Sequence, residues 1–226
     1  MSKIGTLNEK ALHASLKEWV AQPGDQFEVK VDGFFIDIVQ GDLLIEIQTG
    51  SFASIKAKLK KLLRSHRVHL VYPVAREKWI VKLAPDGSSQ ISTRKSPKRG
   101  RVEELFGEMV SFPQLLAHPN FSIEVVLTKE EELRQFHKNK NWRRKGWGIV
   151  ERRLLEVVDQ VVFDNPADWL SLLPKDMGEF TVKDMSKKMG LRKRLAQKMA
   201  YCLRKADVID LIGKEGHANL YKVADT

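Results

Sequence analysis

The sequence predicts an α/β fold, an α+β mixed sheet with helices against it, followed by a C-terminal winged-helix domain. Three observations predict it. An amphipathic helical run gives way to three short β-type runs joined by glycine turns; a second helical run leads into further strands; and the last third of the chain returns to helical spacing before a hairpin pattern. With 226 residues, 42% apolar and 30% charged, the composition excludes disordered and fibrous classes and accommodates one large domain or two small ones.

Taken in order, Leu12, Leu16, Trp19 and Val20 recur at helical spacing from Leu7 to Ala21, until Pro23-Gly24 stops the pattern. Phe27 to Val31, Phe34 to Val39 and Leu43 to Gln48 read as a meander turned by Asp32-Gly33 and Gln40-Gly41. Phe52, Ile55, Leu59, Leu62 and Leu63 mark one face of a second helix, whose remainder carries Lys56, Lys58, Lys60, Lys61 and Arg64. Val68 to Val74 and Trp79 to Leu83 are two further strands. Ser88 to Arg101, polar and basic, reads as a loop. Val102 to Leu116 has helical spacing apart from Pro113, Phe121 to Leu127 reads as a strand, and Lys129 to Phe136 as a short charged helix. The basic, tryptophan-bearing stretch 138–148 reads as a linker between a domain of residues 1–137 and one of residues 149–226. In the second, Ile149 to Val162, Val182 to Met189 and Leu191 to Lys205 read as three helices, with Gly190 in the turn between the last two. Val208 to Ile212 and Leu220 to Val223 form the wing of a winged helix-turn-helix.

The charge points to a polyanion. The net charge is +10, and 25 Lys and Arg against 17 Asp and Glu precede Trp147, so +8 of it belongs to the N-terminal part. Such a balance suits phosphate neutralisation with counterion release. Apolar runs such as Leu43 to Ile47 fall far short of the ~18 residues that span a bilayer, and Met1 to Gly5 does not open a signal peptide. The expectation is a cytoplasmic protein with no membrane partner. The single cysteine, Cys202, excludes an intramolecular disulfide and a Cys-rich zinc site, and reads as a core residue.

The strands of the meander carry an anomaly. Phe34, Phe35, Ile36 and Ile38, then Leu43, Leu44, Ile45 and Ile47, are apolar on both faces, as in a sheet covered on both sides, yet Asp37, Glu46 and Gln48 interrupt them. Buried carboxylates need compensation, and a divalent cation supplies it. A turn at Gln40-Gly41 places Asp37 opposite Leu44 and diagonal to Glu46, with both carboxylates on one face and Gln48 two residues beyond. Oxygen donors without a His or Cys cluster favour Mg²⁺ or Mn²⁺. The alternative is an Asp37 in water at a strand end and a Glu46 paired with a lysine.

The α-β-β-β-α-β order, with Asp37 followed nine residues later by Glu46-Ile47-Gln48, resembles the PD-(D/E)XK nuclease superfamily, the restriction-endonuclease-like fold, over roughly Leu7 to Leu83. The resemblance implies that Asp37 and Glu46 bind Mg²⁺ and that Gln48 stands where the family usually has a lysine that orients the attacking water. Some restriction enzymes of that family carry glutamine there. The name-giving proline is replaced by Ile36. Many members also carry a glutamate on the first helix facing the metal, a position Glu9 fits; Thr6-Leu7-Asn8-Glu9 equally matches a capping box. Lys56 and Lys58, on the helix after the motif, are candidates for the missing positive charge or part of a solvated basic face.

Nucleic-acid contacts are expected from Lys56, from Lys98, Arg99 and Arg101 in the basic loop, from Arg143 and Arg144 between tryptophans, and from Arg192, Lys193, Arg194, Gln197 and Lys198 at the start of the third C-terminal helix. The reading that follows is a Mg²⁺-dependent endodeoxyribonuclease, its winged helix adding DNA affinity. A catalytically inactive DNA-binding regulator or defence-complex component on a nuclease fold is the alternative, and a homodimer is among the assemblies left open. No phosphate loop, dinucleotide fingerprint, nucleophile elbow or H-E-x-x-H motif is present.

Overall fold

The computed structural model describes residues 10–87, 89–137 and 146–224. It is a mixed α/β protein. The elements are α1 (Ala11–Val20), β1 (Gln26–Val31), β2 (Phe34–Gln40), β3 (Leu43–Ile47), α2 (Lys56–Leu62), β4 (Arg67–Leu83), β5 (Gln90–Lys95), α3 (Phe106–Met109), β6 (Phe121–Phe136), β7 (Trp147–Phe163), α4 (Pro166–Leu170), β8 (Phe180–Thr181), α5 (Val182–Met189), α6 (Lys193–Lys205), β9 (Ile209–Glu215) and β10 (Ala218–Val223). Strands β1-β2-β3-β4-β6-β7 form one sheet in that order, with β5 paired to β4, and β8-β10-β9 form a second. The β1, β2 and β3 meander is antiparallel, whereas β3 and β4 are parallel, joined by the crossover through α2.

The turns explain the register. Asp32 and Gly33 both take positive φ, the type I′ geometry that matches strand twist. The next turn is Gly41-Asp42, one residue later than the expected Gln40-Gly41, because Gly41 supplies the positive φ and Gln40 pairs with Leu43.

Several expected elements change. Val68 to Val74 and Trp79 to Leu83 are parts of the single strand β4, and the basic loop contains β5, paired so that Trp79 meets Lys95. Residues 102–117 form three short helical pieces, Val102–Leu105, α3 and Pro113–Ala117, interrupted where Pro113 cannot donate an amide. Lys129 to Phe136 is the continuation of β6, and Ile149 to Val162 is strand β7 rather than the first helix of a three-helix domain. The expected linker 138–148 joins these neighbouring strands; its residues 138–145 lie outside the described ones. Where it re-emerges, Gly146 accepts a hydrogen bond from the His137 amide at 2.8 Å, and Trp147 packs edge-on against Phe136 and under the Lys82 ammonium.

The chain divides into two compact units, interleaved in sequence. The first comprises the described residues of Met1–Asp25, Pro73–Arg101 and Val126–Gln160. Its most polar feature is a ladder on alternate residues of β6. Thr128 donates to Glu130, which accepts from Arg152 at 2.9 and 3.0 Å, and Glu132 accepts from Lys78 and Arg134. Burial raises the Glu132 pKa, but the Lys78 and Arg134 cations outweigh it and hold the group below the usual range.

The second unit comprises Gln26–Tyr72, Val102–Val125 and the described residues of Val161–Thr226. Its aromatic core continues through segments far apart in sequence. Phe52 stacks on Phe112, Phe112 meets Phe121 edge-on, Phe163 stacks on Trp169 at 4.1 Å, and Phe106 meets Trp169. The Trp169 indole N–H donates to the Leu116 carbonyl at 3.2 Å. Helix α6 packs against α5, α3 and Pro113–Ala117, burying Ala196, Met199, Ala200, Cys202 and Leu203. The α5 start carries a Thr181/Asp184 capping box, and Gly190, with φ of 62°, closes its C-terminus in the left-handed conformation. No helix among the described residues is long and apolar enough to cross a membrane.

Candidate functional site

Strands β2 and β3 bring the two predicted acids together. Ile38 pairs with Ile45, Val39 with Leu44 and Gln40 with Leu43, and one further step of that register sets Asp37 directly opposite Glu46. The displaced turn therefore moves Asp37 from a diagonal to a facing position. The parity of the alternation is unchanged, so both side chains still share one face. The Asp37 carboxylate reaches across to accept the Ile47 amide at 2.8 Å.

Glu46 is buried, its side chain 6% exposed. Burial first and the adjacent Asp37 charge second push its pKa up to about 7, against the opposing pull of Lys58. Lys58 is the cation that meets it: Nζ stands 2.5 Å from Glu46 Oε1, off the direction of a hydrogen bond, and donates to the Phe35 carbonyl. The helical period explains its selection. Leu59 and Leu62 hold one side of α2 in the core, and Lys58 lies beside that stripe while Lys56 and Lys60 emerge into solvent.

Gln48 follows β3, its amide donating to Val71 O at 2.9 Å. Its Nε2 donates to Ser51 O at 2.6 Å and to Ser54 Oγ at 2.9 Å. Both amide hydrogens are thus committed to the turn that begins Phe52–Ile55. Glu108, which no sequence signal singled out, accepts the Phe52 amide at 3.2 Å in the same turn.

As a donor set, Asp37 and Glu46 fit a hard divalent cation that keeps water in its remaining positions, because a cation would offset the burial and the Asp37 repulsion that together raise Glu46. Among the described residues there is no group of three or more His, Cys, Asp or Glu side chains placed to hold a metal. Glu9, the proposed third acid, lies outside the described residues. His69, on β4, is held on both ring nitrogens, by Ser122 at 2.7 Å and Glu124 at 3.1 Å.

The expected nucleic-acid contacts divide. Lys56 is exposed on α2, and Arg192, Lys193, Arg194 and Gln197 are exposed at the start of α6. Lys198 is turned inward, its Nζ donating to the Gly107 carbonyl, which corrects its expected place on the exposed face. Arg99 is paired with Glu77 at 3.4 Å, and Lys95 meets the same carboxylate at 2.6 Å. Lys98 is exposed and Arg101 half-buried, beside the tightly packed Gly100. Arg143 and Arg144 lie outside the described residues. Cys202 is buried, and burial pushes its thiol up to about 12, as expected of a core residue.

A family profile described as "Domain of unknown function (DUF8091)" matches residues 10–164. Its end falls at the end of β7, on the far side of the segment the sequence assigned to the first C-terminal helix. A protein of Treponema pallidum (strain Nichols), itself named "Uncharacterized protein", is 33% identical over 222 residues, which cover 97% of this chain and 87% of the relative. No solved structure matches. A profile match over more than half the chain, beside a relative aligned along nearly its whole length, makes this chain a member of the DUF8091 family.

Proposed function

We propose that the chain is a Mg²⁺-dependent DNA endonuclease whose restriction-endonuclease-like core is the β1–β4 sheet with α2, and whose α5, α6 and β9–β10 hairpin form a DNA-binding winged helix. The single observation that carries this reading is the facing Asp37–Glu46 pair with the Lys58 ammonium at Glu46. Two acids on adjacent strands beside one lysine form the chemical set of a PD-(D/E)XK site, with the lysine contributed from α2 where Gln48 occupies the usual lysine position. When bound, Mg²⁺ would supply an acidified water and neutralise charge developing on the phosphate. Asp37 and Glu46 would hold it. Lys58 would shift from Glu46 toward a phosphate oxygen once a cation takes over the carboxylate, and the Gln48 carbonyl would orient the attacking water. The water oxygen would form the new bond to phosphorus as the bond to the leaving oxygen breaks, and, with Glu46 committed to the cation, a second water or a substrate phosphate oxygen would take the attacking water's proton while solvent protonates the leaving oxygen.

The test is incubation of the full chain with supercoiled plasmid, single-stranded and branched DNA, with Mg²⁺, Mn²⁺ or EDTA. Cleavage that needs the cation and is lost in Asp37→Ala and Glu46→Ala, and that falls at least tenfold in Lys58→Ala, is the expected result. Cleavage persisting in both acid variants places the chemistry elsewhere. The second reading, an inactive DNA-binding regulator on the same fold, is favoured by the Lys58–Glu46 ion pair, in which the lysine itself neutralises the buried acid. DNA binding without cleavage under every cation, unchanged by Asp37→Ala, selects it.

A further inference from the structure

The opposite side of α2 carries a basic cleft, of which the nuclease reading uses only Lys56. Lys56 and Lys60 lie at i and i+4 on α2, roughly half a turn around from Lys58, and Arg64 follows in the turn after the helix's last residue, Leu62. They line a cleft of about 460 Å³ against the Pro113–Ala117 turn, which contributes Gln114 and Leu115. That volume lies within the ~300 to 1,000 Å³ usual for small-molecule sites. The floor is apolar: Leu63, Leu115 and Phe112 are 3%, 8% and 1% exposed, and Phe112 is fixed by its stack on Phe52. His118 completes the rim. Its Nδ1 accepts the Asn120 amide at 3.2 Å, so a neutral ring carries its proton on Nε2 as a further donor.

The chemistry of this lining is one-sided. Three fixed cations and a histidine surround the opening, and among the described residues no carboxylate lines it. A solvated basic face needs no concavity and no apolar floor; this one has both. The charge suits a phosphate, with Arg64 as the forked donor and the two lysines as point charges. The apolar floor suits a flat organic body attached to it, and the Gln114 amide can meet the polar edge of a heterocycle. We infer that the cleft between α2 and Pro113–Ala117 binds a nucleotide, its phosphate held by Lys56, Lys60 and Arg64 and its base lying toward Leu63 and Leu115. The phosphate can come from a free mononucleotide or from the 5′ end of a DNA strand. The inference stands apart from the carboxylate site and does not depend on cleavage.

The experiment uses the full chain in EDTA and measures binding of dAMP against deoxyadenosine, and of a six-nucleotide single strand with and without a 5′-phosphate. Each phosphorylated probe is expected to bind at least tenfold tighter than its phosphate-free counterpart. Lys60→Glu combined with Arg64→Glu is expected to remove that preference with the circular dichroism melt unchanged. The same charge change at the exposed Lys10 and Lys175 is the control for net charge and is expected to preserve it. A larger preference within the oligonucleotide pair assigns the cleft to strand ends, and within the dAMP pair to a free nucleotide. Equal affinity for phosphorylated and unphosphorylated probes, no binding of any probe, or an undiminished preference in the Lys60/Arg64 variant overturns the inference. So does binding that appears only when Mg²⁺ replaces EDTA, since the phosphate would then be held at the carboxylates.

Discussion

At the scale of single residues, Glu46 is the group whose environment is most informative. Its folded pKa, about 7, lies above the ordinary 4.5, so the native state binds its proton more tightly than the unfolded chain does. The stability this proton contributes is fully present below pH 4.5 and is lost as pH rises through 7, in all about 3 kcal/mol. Glu46→Gln cannot titrate there. In EDTA its urea midpoint should match the wild type near pH 4.5 and exceed it at pH 8, by up to ~3 kcal/mol in stability, a figure already net of the Lys58 pairing. Parallel pH profiles for the two proteins would show that another group titrates in that interval. The acids themselves were legible in the sequence, because polar residues interrupting doubly apolar strands are rare and carry their own spacing. Lys58 was named in the sequence only beside Lys56: five basic residues share the segment, and only the seating of Leu59 and Leu62 in the core decides which of them turns toward Glu46.

At the scale of elements, the meander and helices α5 and α6 follow from local patterning, whereas β5, the end of β6 and all of β7 do not. Glu, Arg and Leu in Ile149 to Val162 satisfy helical spacing, but five valines and an isoleucine in the same stretch favour a pleated surface, and pairing with β6 decides between them. The same competition applies to the Glu-rich end of β6. Beyond Thr128, its alternate acids Glu130 and Glu132 accept from Arg152, Lys78 and Arg134, partners from other strands or from further along β6 itself. The connection after β5 is fixed by close packing rather than propensity. Gly100 donates its amide to the Ala75 carbonyl at 3.0 Å, and a Cβ there would press on that same oxygen and on Val74 Cγ1. Gly100→Ala should therefore destabilise the protein by about 1 to 3 kcal/mol, read as a lower thermal midpoint. A midpoint within experimental error of the wild type would mean that the segment shifts freely away from β4.

At the scale of the whole molecule, the C-terminal residues are not an appendage to the unit that contains the candidate site. Phe163, Trp169 and α6 share its core with Phe106, Leu116 and the turn at Pro113. A chain truncated at Arg144, within the expected linker 138–148, would lose β7 and expose those apolar side chains. It should fail to give a cooperative unfolding transition or should aggregate; a soluble, cooperatively melting fragment would show that the sheet holds without them. The sequence by itself determined the mixed α/β class, the positive charge, the paired acids on one sheet face and the helix-turn-helix-hairpin order at the C-terminus. All of these are written in periodicities of two and 3.6 residues or in turn chemistry, which act over a few positions. The tertiary structure decided the identity of β7, the inward turn of Lys198, the choice of Lys58 and the cleft beside α2. Each of these depends on which distant segments pack together, and the free energy of that packing outweighs the small differences in local preference that a sequence displays.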